Sequence, residues 1–299
     1  MKVLNFGSLN IDYVYDVDDF VKKGETISSK DLNVFCGGKG LNQSVALARA
    51  GAEVYHAGMI GEDGKFLLDL LKEAGVNTDK VLIRDEIRTG NAIIQRDKSG
   101  DNCIILFAGA NRSITKDYVD SVLSEFEKGD YIVLQNEISE LPYIVENAHK
   151  IGMKIVLNPS PMDEKIRELN LDYVDYFLLN ETETLKLSEM AEFDIKECME
   201  KLINRFKGAG ILITLGDKGS IYSGGNITVE QNAVKTKVVD TTAAGDTFAG
   251  YFVSGILAGK EMDTVIKEAT VAASIAVSRI GAAPSIPEMR EVEERYKSL

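Results

Sequence analysis

The chain has no tryptophan, two histidines, three cysteines and five prolines among 299 residues, and each scarcity removes a class of protein. Cys36, Cys103 and Cys198 are too few and too widely spaced for a disulfide framework, a zinc ligand set or a redox pair. They are expected as reduced thiols of a cytoplasmic protein. His56 and His149 stand alone, without the spacing of metal ligands. Lys and Arg number 34 against 47 Asp and Glu, for a net charge of −13. This excludes nucleic acid and anionic membranes as partners, because both require a basic surface. No apolar run approaches the ~20 residues of a membrane helix. Met1-Lys2 leads straight into the strand-like VLNFGS, so no secretory leader is expected. No repeat, low-complexity stretch or Pro/Gly/Ser-rich linker divides the chain. With 44% hydrophobic residues, the expectation is one large α/β domain over residues 1–299 with a small appendage.

What is present is a βα rhythm. Apolar runs at 3–7, 53–59, 131–135, 154–157, 176–179 and 210–214 alternate with helical patterns at 65–74, 117–127, 142–150 and 195–206. Such alternation predicts a parallel sheet covered on both faces. The runs end in Asn10, Glu137, Asn158, Asn180, Thr214 and Asp240. One edge of the sheet should therefore collect hydrogen-bonding groups, where open α/β sheets bind ligands. Asn10 and Asp12, in GSLNID, offer donors and acceptors suited to hydroxyl groups, or make a polar turn. Residues 13–35 lack helical period and read as short strands off the main sheet. In residues 88–107 two apolar runs flank Lys98-Ser99-Gly100-Asp101, a hairpin signal. Together these segments, about 11–36 and 88–107, form a candidate lid and oligomer contact; an edge of the main sheet is the alternative place for the hairpin.

Two stretches carry chemistry. In CGGKGLNQSVALARAG, residues 36–51, Gly37, Gly38 and Gly40 make a flexible turn before a helix, with Lys39 and Asn42 at its start. The spacing is not that of a P-loop, and the turn suits a polar uncharged ligand as well as a phosphate. In VVDTTAAGDTFAG, residues 238–250, Val238 and Val239 read as a strand end, followed by a small-residue turn and a helix. A helix start leaves backbone N–H groups unpaired and carries partial positive charge. Ala243, Ala244 and Gly245 let an anion approach. Asp246 in that turn can act as a base toward an attacking hydroxyl, although an Asp there is more commonly a cap. Residues 264–278 are helical and end in the Arg279–Ser285 loop, a surface turn or a set of carbonyls for a cation.

GSLNID, GGKGLNQSVALARAG, NETE, TLGDKG and DTTAAGDTF, in that order, resemble the ribokinase-like carbohydrate kinase family over about residues 2–287. The resemblance implies a Rossmann-like three-layer α/β core with a parallel central sheet and a small β-sheet lid that joins two subunits. It implies transfer of the ATP γ-phosphate to the 5-hydroxyl of ribose, with Mg²⁺ and K⁺ as cofactors. On matching positions, Asn10, Asp12, Gly38, Lys39, Asn42 and Glu137 would hold the sugar, with Asp246 as base. Ala243, Ala244, Gly245 and Asp246 would form the anion hole. Asn180, Glu183, Thr214, Leu215, Gly216, Asp217, Lys218, Gly219, Gly245 and Thr270 would hold the nucleotide, Glu183 also helping to place Mg²⁺. Asp240, Thr242, Ala276, Arg279, Gly281 and Ser285 would form a monovalent cation site. Leu41, Thr270 and the insertion of Cys36 before the glycines depart from the family pattern. 2-Deoxyribose, another sugar or a nucleoside stays open as the acceptor, as does a sugar-binding protein without catalysis.

Overall fold

The computed structural model describes residues 1–99 and 101–299; Gly100, in the expected hairpin turn, lies outside them. Along the first third run β1 (Val3–Phe6), β2 (Asn10–Asp16), β3 (Asp31–Gly37), α1 (Lys39–Arg49), β4 (Val54–Ile60), α2 (Lys65–Glu73), β5 (Asn77–Ile83), β6 (Gly90–Arg96) and β7 (Asn102–Phe107). Then come α3 (Lys116–Leu123), β8 (Tyr131–Gln135), α4 (Leu141–Ile151), β9 (Lys154–Asn158), β10 (Tyr176–Asn180), α5 (Glu181–Ser188) and α6 (Ile195–Arg205). The last third holds β11 (Gly210–Thr214), β12 (Ser220–Gly224), β13 (Ile227–Gln231), α7 (Ala244–Leu257), α8 (Met262–Ala276) and α9 (Met289–Lys297).

The large sheet has the order β13-β12-β11-β10-β9-β8-β1-β4-β5. It is parallel from β5 to β11, and β12 and β13 close one edge antiparallel. Its interior strands are mostly apolar because both faces are covered. Alternate residues separate cleanly between them: Val3, Val133, Leu178 and Leu212 pack with α1, α7 and α8, whereas Leu4, Leu134, Phe177 and Ile213 pack with α3, α4 and α6. That is the period-2 geometry of a strand buried on two sides.

The expected second sheet is present, with order β3-β2-β6-β7. The 88–107 hairpin belongs to it, not to the edge of the main sheet. In register, Asp12 stands beside Phe35 and Ala92, and Tyr13 beside Val34 and Ile93, which pairs with Ile105. Alternation therefore puts Asp12 on one face, and Leu32, Val34, Ile93, Ile105 and Phe107, all exposed, on the other. Two expectations fail. Val238 and Val239 form no strand: they are 60% and 49% exposed, and Val239 N and Asp240 N both donate to Val277 O at the end of α8. Two valines without a neighbouring strand have no ladder to join. Asn10 does not end β1 either. The chain leaves the main sheet over Gly7–Leu9, and Asn10 is the first residue of β2.

Candidate active site

Helix α7 is apolar around most of its circumference and is buried between α1 and α8. A Cβ on Gly250 would stand 2.4 Å from Ala46 Cβ and 2.7 Å from Leu47 N, so only glycine allows this approach to α1. Asp246 lies four residues before Gly250, and Asn42 four before Ala46, each on the same helical stripe as its partner. The contact at Gly250 thus delivers Asp246 to Asn42. Asn42 Nδ2 donates to Asp246 Oδ2 at 3.0 Å and Gln43 Nε2 donates to Oδ1 at 2.9 Å. Asp246 is 7% exposed and is not a cap: the N-cap is Ala243, in the left-handed region at φ 59°, with no side-chain capping bond. Thr247 N makes the first regular turn bond, to Ala243 O. Gly245 and Asp246 precede it, at the start of the helix where N–H groups lack an i−4 partner. A Cβ on Gly245 would meet nothing within 4 Å, so the backbone there is bare to the cleft.

The side of the cleft nearer the small sheet is tightly knit. Residues 7–8 and 40 pass so closely that a Cβ on Gly40 would lie 2.4 Å from Ser8 N. Gly38 takes φ 94°, which favours glycine, and starts α1. Ser8 Oγ donates to Glu137 Oε2 and accepts from Gly40 N at 3.2 Å; Lys39 N donates to the same Glu137 oxygen at 3.1 Å. Asn111 donates to Asn10 Oδ1 at 2.7 Å and accepts from Leu9 N at 3.0 Å, which fixes the Asn10 amide. Burial, reinforced by the Glu137 carboxylate, pushes Asp12 up to about 7. Burial also raises Glu137, against the opposing pull of Lys39 and of Ser8. Burial works to lower the Lys39 ammonium, but Asp246, Glu137 and Glu183 together hold it above its ordinary value. Asn42 Oδ1 is a buried acceptor without a partner.

The opposite side is looser. Asn180 and Glu183 form a capping box at the start of α5: Glu183 N donates to Asn180 Oδ1 at 2.9 Å, and Asn180 N and Nδ2 donate back at 3.0 Å each. Thr214 Oγ1 donates to Leu179 O at 3.2 Å. Lys39, Asn180, Glu183, Thr214 and the Ala243–Asp246 turn line one cleft. Leu215–Gly219 continue beyond it as a largely exposed turn, and Thr270 does not line it: its buried hydroxyl donates back to Ile266 O at 2.8 Å. Asp240 Oδ1 accepts from Thr242 N at 2.9 Å and Thr242 Oγ1 at 2.6 Å, and Oδ2 accepts from Gly281 N at 3.0 Å. Despite the opposing effect of burial, these donors hold the Asp240 carboxyl below its ordinary value. Asp240 thus ties the turn before α7 to the Arg279–Ser285 loop. The Arg279 side chain is spent on Glu291, so only its backbone is free to face an ion. Ser285 Oγ donates to Ala282 O at 2.8 Å.

A carboxylate at a bare helix start, between a wall of buried polar groups and an open cleft, is an arrangement that suits phosphoryl transfer. The chain belongs to the pfkB family of carbohydrate kinases, whose model matches residues 1–289. It is 36% identical over 295 residues to a ribokinase of Haemophilus influenzae, covering 96% of each chain. Among solved structures, an Arabidopsis thaliana ribokinase complexed with ribose and ATP aligns at TM-score 0.88 and 31% identity, covering 99% of this chain and 98% of that one. A Cryptococcus neoformans ribokinase in complex with ADP aligns at TM-score 0.86 and 35% identity, covering 98% of both.

Proposed function

We propose that the chain is an ATP-dependent sugar kinase that transfers the γ-phosphoryl group to the 5-hydroxyl of D-ribose. The observation that carries this reading is the Asp246 carboxylate, set at the start of α7 and held by Asn42 and Gln43 from the sugar side. Asn10, Asp12, Gly38, Lys39, Asn42 and Glu137 hold the sugar, the orphan Asn42 oxygen and the Asp12 and Glu137 carboxylates accepting from its hydroxyls. Asp246 takes the proton of the attacking hydroxyl as the O–P bond forms. The bond from the γ-phosphorus to the bridging oxygen breaks, and ADP leaves with the electron pair. Backbone N–H groups of the 243–246 turn and the Lys39 ammonium meet the charge on the transferring group. The face of the small sheet that carries Asp12 closes over the sugar and excludes water, which would otherwise compete as acceptor.

Mg²⁺ neutralises phosphate charge when it arrives with the nucleotide. Both Glu183 oxygens already accept a hydrogen bond, which fits contact through the ion's water. Asp240, with carbonyls of Thr242, Ala276, Arg279, Gly281 and Ser285, offers the hard oxygen set that suits K⁺. The exposed apolar face of Leu32, Val34, Ile93, Ile105 and Phe107 favours pairing of two copies through the small sheet. Three free thiols favour the cytoplasm, and among the described residues no helix is long and apolar enough to cross a membrane. The test is ADP formation with Mg²⁺, K⁺ and ATP over ribose, 2-deoxyribose, fructose and adenosine, with ³¹P NMR of the product. The expected result is preference for ribose and a phosphomonoester on C5. A different preferred acceptor reassigns the sugar pocket, and no transfer to any acceptor rejects the kinase.

A further inference from the structure

Three neighbouring strands of the main sheet, β8, β1 and β4, each turn one polar side chain under α1: Gln135, Asn5 and His56, all fully buried. In an apolar core such groups cost stability unless hydrogen-bonded. Here they bond to one another and to α1, and the amide donors and acceptors run in one direction. Asn5 Nδ2 donates to Gly40 O at 2.8 Å and to Ser44 Oγ at 2.9 Å. The Ser44 hydroxyl also shares a hydrogen bond with His56 Nδ1, 2.7 Å away. Burial lowers the His56 ring to about 4, so it is neutral. Asn5 Oδ1 accepts from Gln135 Nε2 at 3.0 Å, and the second Gln135 proton goes to Gln43 Oε1 at 2.7 Å. That leaves Gln43 Nε2 to face Asp246 Oδ1 at 2.9 Å and Asn158 Oδ1 at 3.3 Å.

We infer that Gln43 is a positioning residue for Asp246, locked with its N–H toward the carboxylate by a one-directional relay through Gln135 and Asn5, the Asn5 amide itself being pinned by Gly40 O and Ser44 Oγ. Both side-chain N–H protons of all three amides are used, so none can turn over without setting N–H against N–H or oxygen against oxygen. A turned Gln43 would put its carbonyl oxygen against the Asp246 carboxylate. Such networks are worth more as a unit than as separate bonds. What the relay supplies is orientation: the base is presented at a fixed angle to the attacking hydroxyl, where small displacements cost rate. Gln135, Asn5 and His56 do not line the cleft that holds the Ala243–Asp246 turn, and Gln135 reaches Asp246 through Gln43.

This inference rests on Asp246 being the base, and its test separates the two ideas. In Gln135→Met, which removes the donor that orients Gln43, kcat for ribose should fall about tenfold or more with KM changed less than about twofold. In Gln43→Glu two carboxylates share one site, with Lys39, Glu137 and Glu183 around them unchanged. The acid limb of the kcat–pH profile should then move up by about one pH unit or more. A residue that only supports the fold would lower kcat evenly across pH. Hydrogen exchange of the Gln43 side-chain NH₂, followed by NMR, needs no substrate. It should be slow in the native protein and fast in Gln135→Met. Fast exchange in the native protein, unchanged kcat in Gln135→Met, or an even loss across pH in Gln43→Glu would each overturn the relay. Absence of sugar phosphorylation by the native protein would reject the kinase reading, while slow exchange would leave the locked amide standing.

Discussion

The two walls of the cleft are built differently. On the sugar side several polar groups have partners from a distant part of the chain: Glu137 with Ser8 and Lys39, Asn10 with Asn111, Asp246 with Asn42 and Gln43. On the nucleotide side the bonds are mixed: Glu183 with Asn180 and Asp240 with Thr242 are local, whereas Thr214 reaches Leu179 on the neighbouring strand and Asp240 reaches Gly281. Long-range bonds among buried groups hold a shape before the ligand arrives. Local bonds finish a helix or a turn and leave the backbone open. The contrast assigns discrimination to the first wall, where a wrong hydroxyl pattern strands a buried acceptor. It assigns charge handling to the second, where a flexible polyphosphate needs N–H groups and cations rather than a mould.

The largest expected effect falls where the walls meet. Asp246→Asn removes the proton acceptor but keeps shape, and turnover should drop about 10³-fold while calorimetry finds ribose binding largely retained; near-normal turnover would move the base elsewhere. A smaller effect belongs to the sugar wall alone. Asp12→Asn should raise KM for ribose about tenfold at pH 8, since a charged acceptor is lost. In the native protein KM should fall as pH rises through about 7, where Asp12 ionises, and in the variant this dependence should flatten. Because burial raises the folded-state value above that of a free carboxyl, Asp12 contributes stability below about pH 4 that is lost as pH rises through about 7. Asp12→Asn should therefore raise Tm at pH 8 and leave it unchanged near pH 4. An equal Tm shift at both pH values would contradict this. The smallest effect belongs to the nucleotide wall: exchanging Na⁺ for K⁺ should raise turnover several-fold, and Asp240→Ala should abolish the difference. Equal rates in both salts would remove the ion from the account.

Much of this was legible in residue order. Strand β11 occupies the 210–214 run and helix α6 begins at Ile195, because period and turn residues agree there. Asp246, Lys39 and Glu183 could be named from their motifs and Glu137 from the end of its strand run, and the structure lines one cleft with the first three and sets Glu137 beside Lys39. What escaped had no local signal. Gln135 and Asn5 sit inside runs that read as plain apolar strands, and Asn111 lies in no motif. Gln43 stood in view beside Asn42, but its role depends on Gln135, 92 residues away. The two valines before Asp240 failed for the opposite reason: a local β signal had no strand beside it.

The central claim is that the sugar wall is formed before any ligand binds and the nucleotide wall is completed by its ligand. Backbone hydrogen exchange of the unliganded protein, then with ADP and Mg²⁺, tests it most directly. The amides of residues 39–43 should be protected without ligand, and those of 241–246 should exchange fast until nucleotide is added. Equal, fast exchange in both segments of the unliganded protein, with 39–43 protected only when ribose is added, would contradict it.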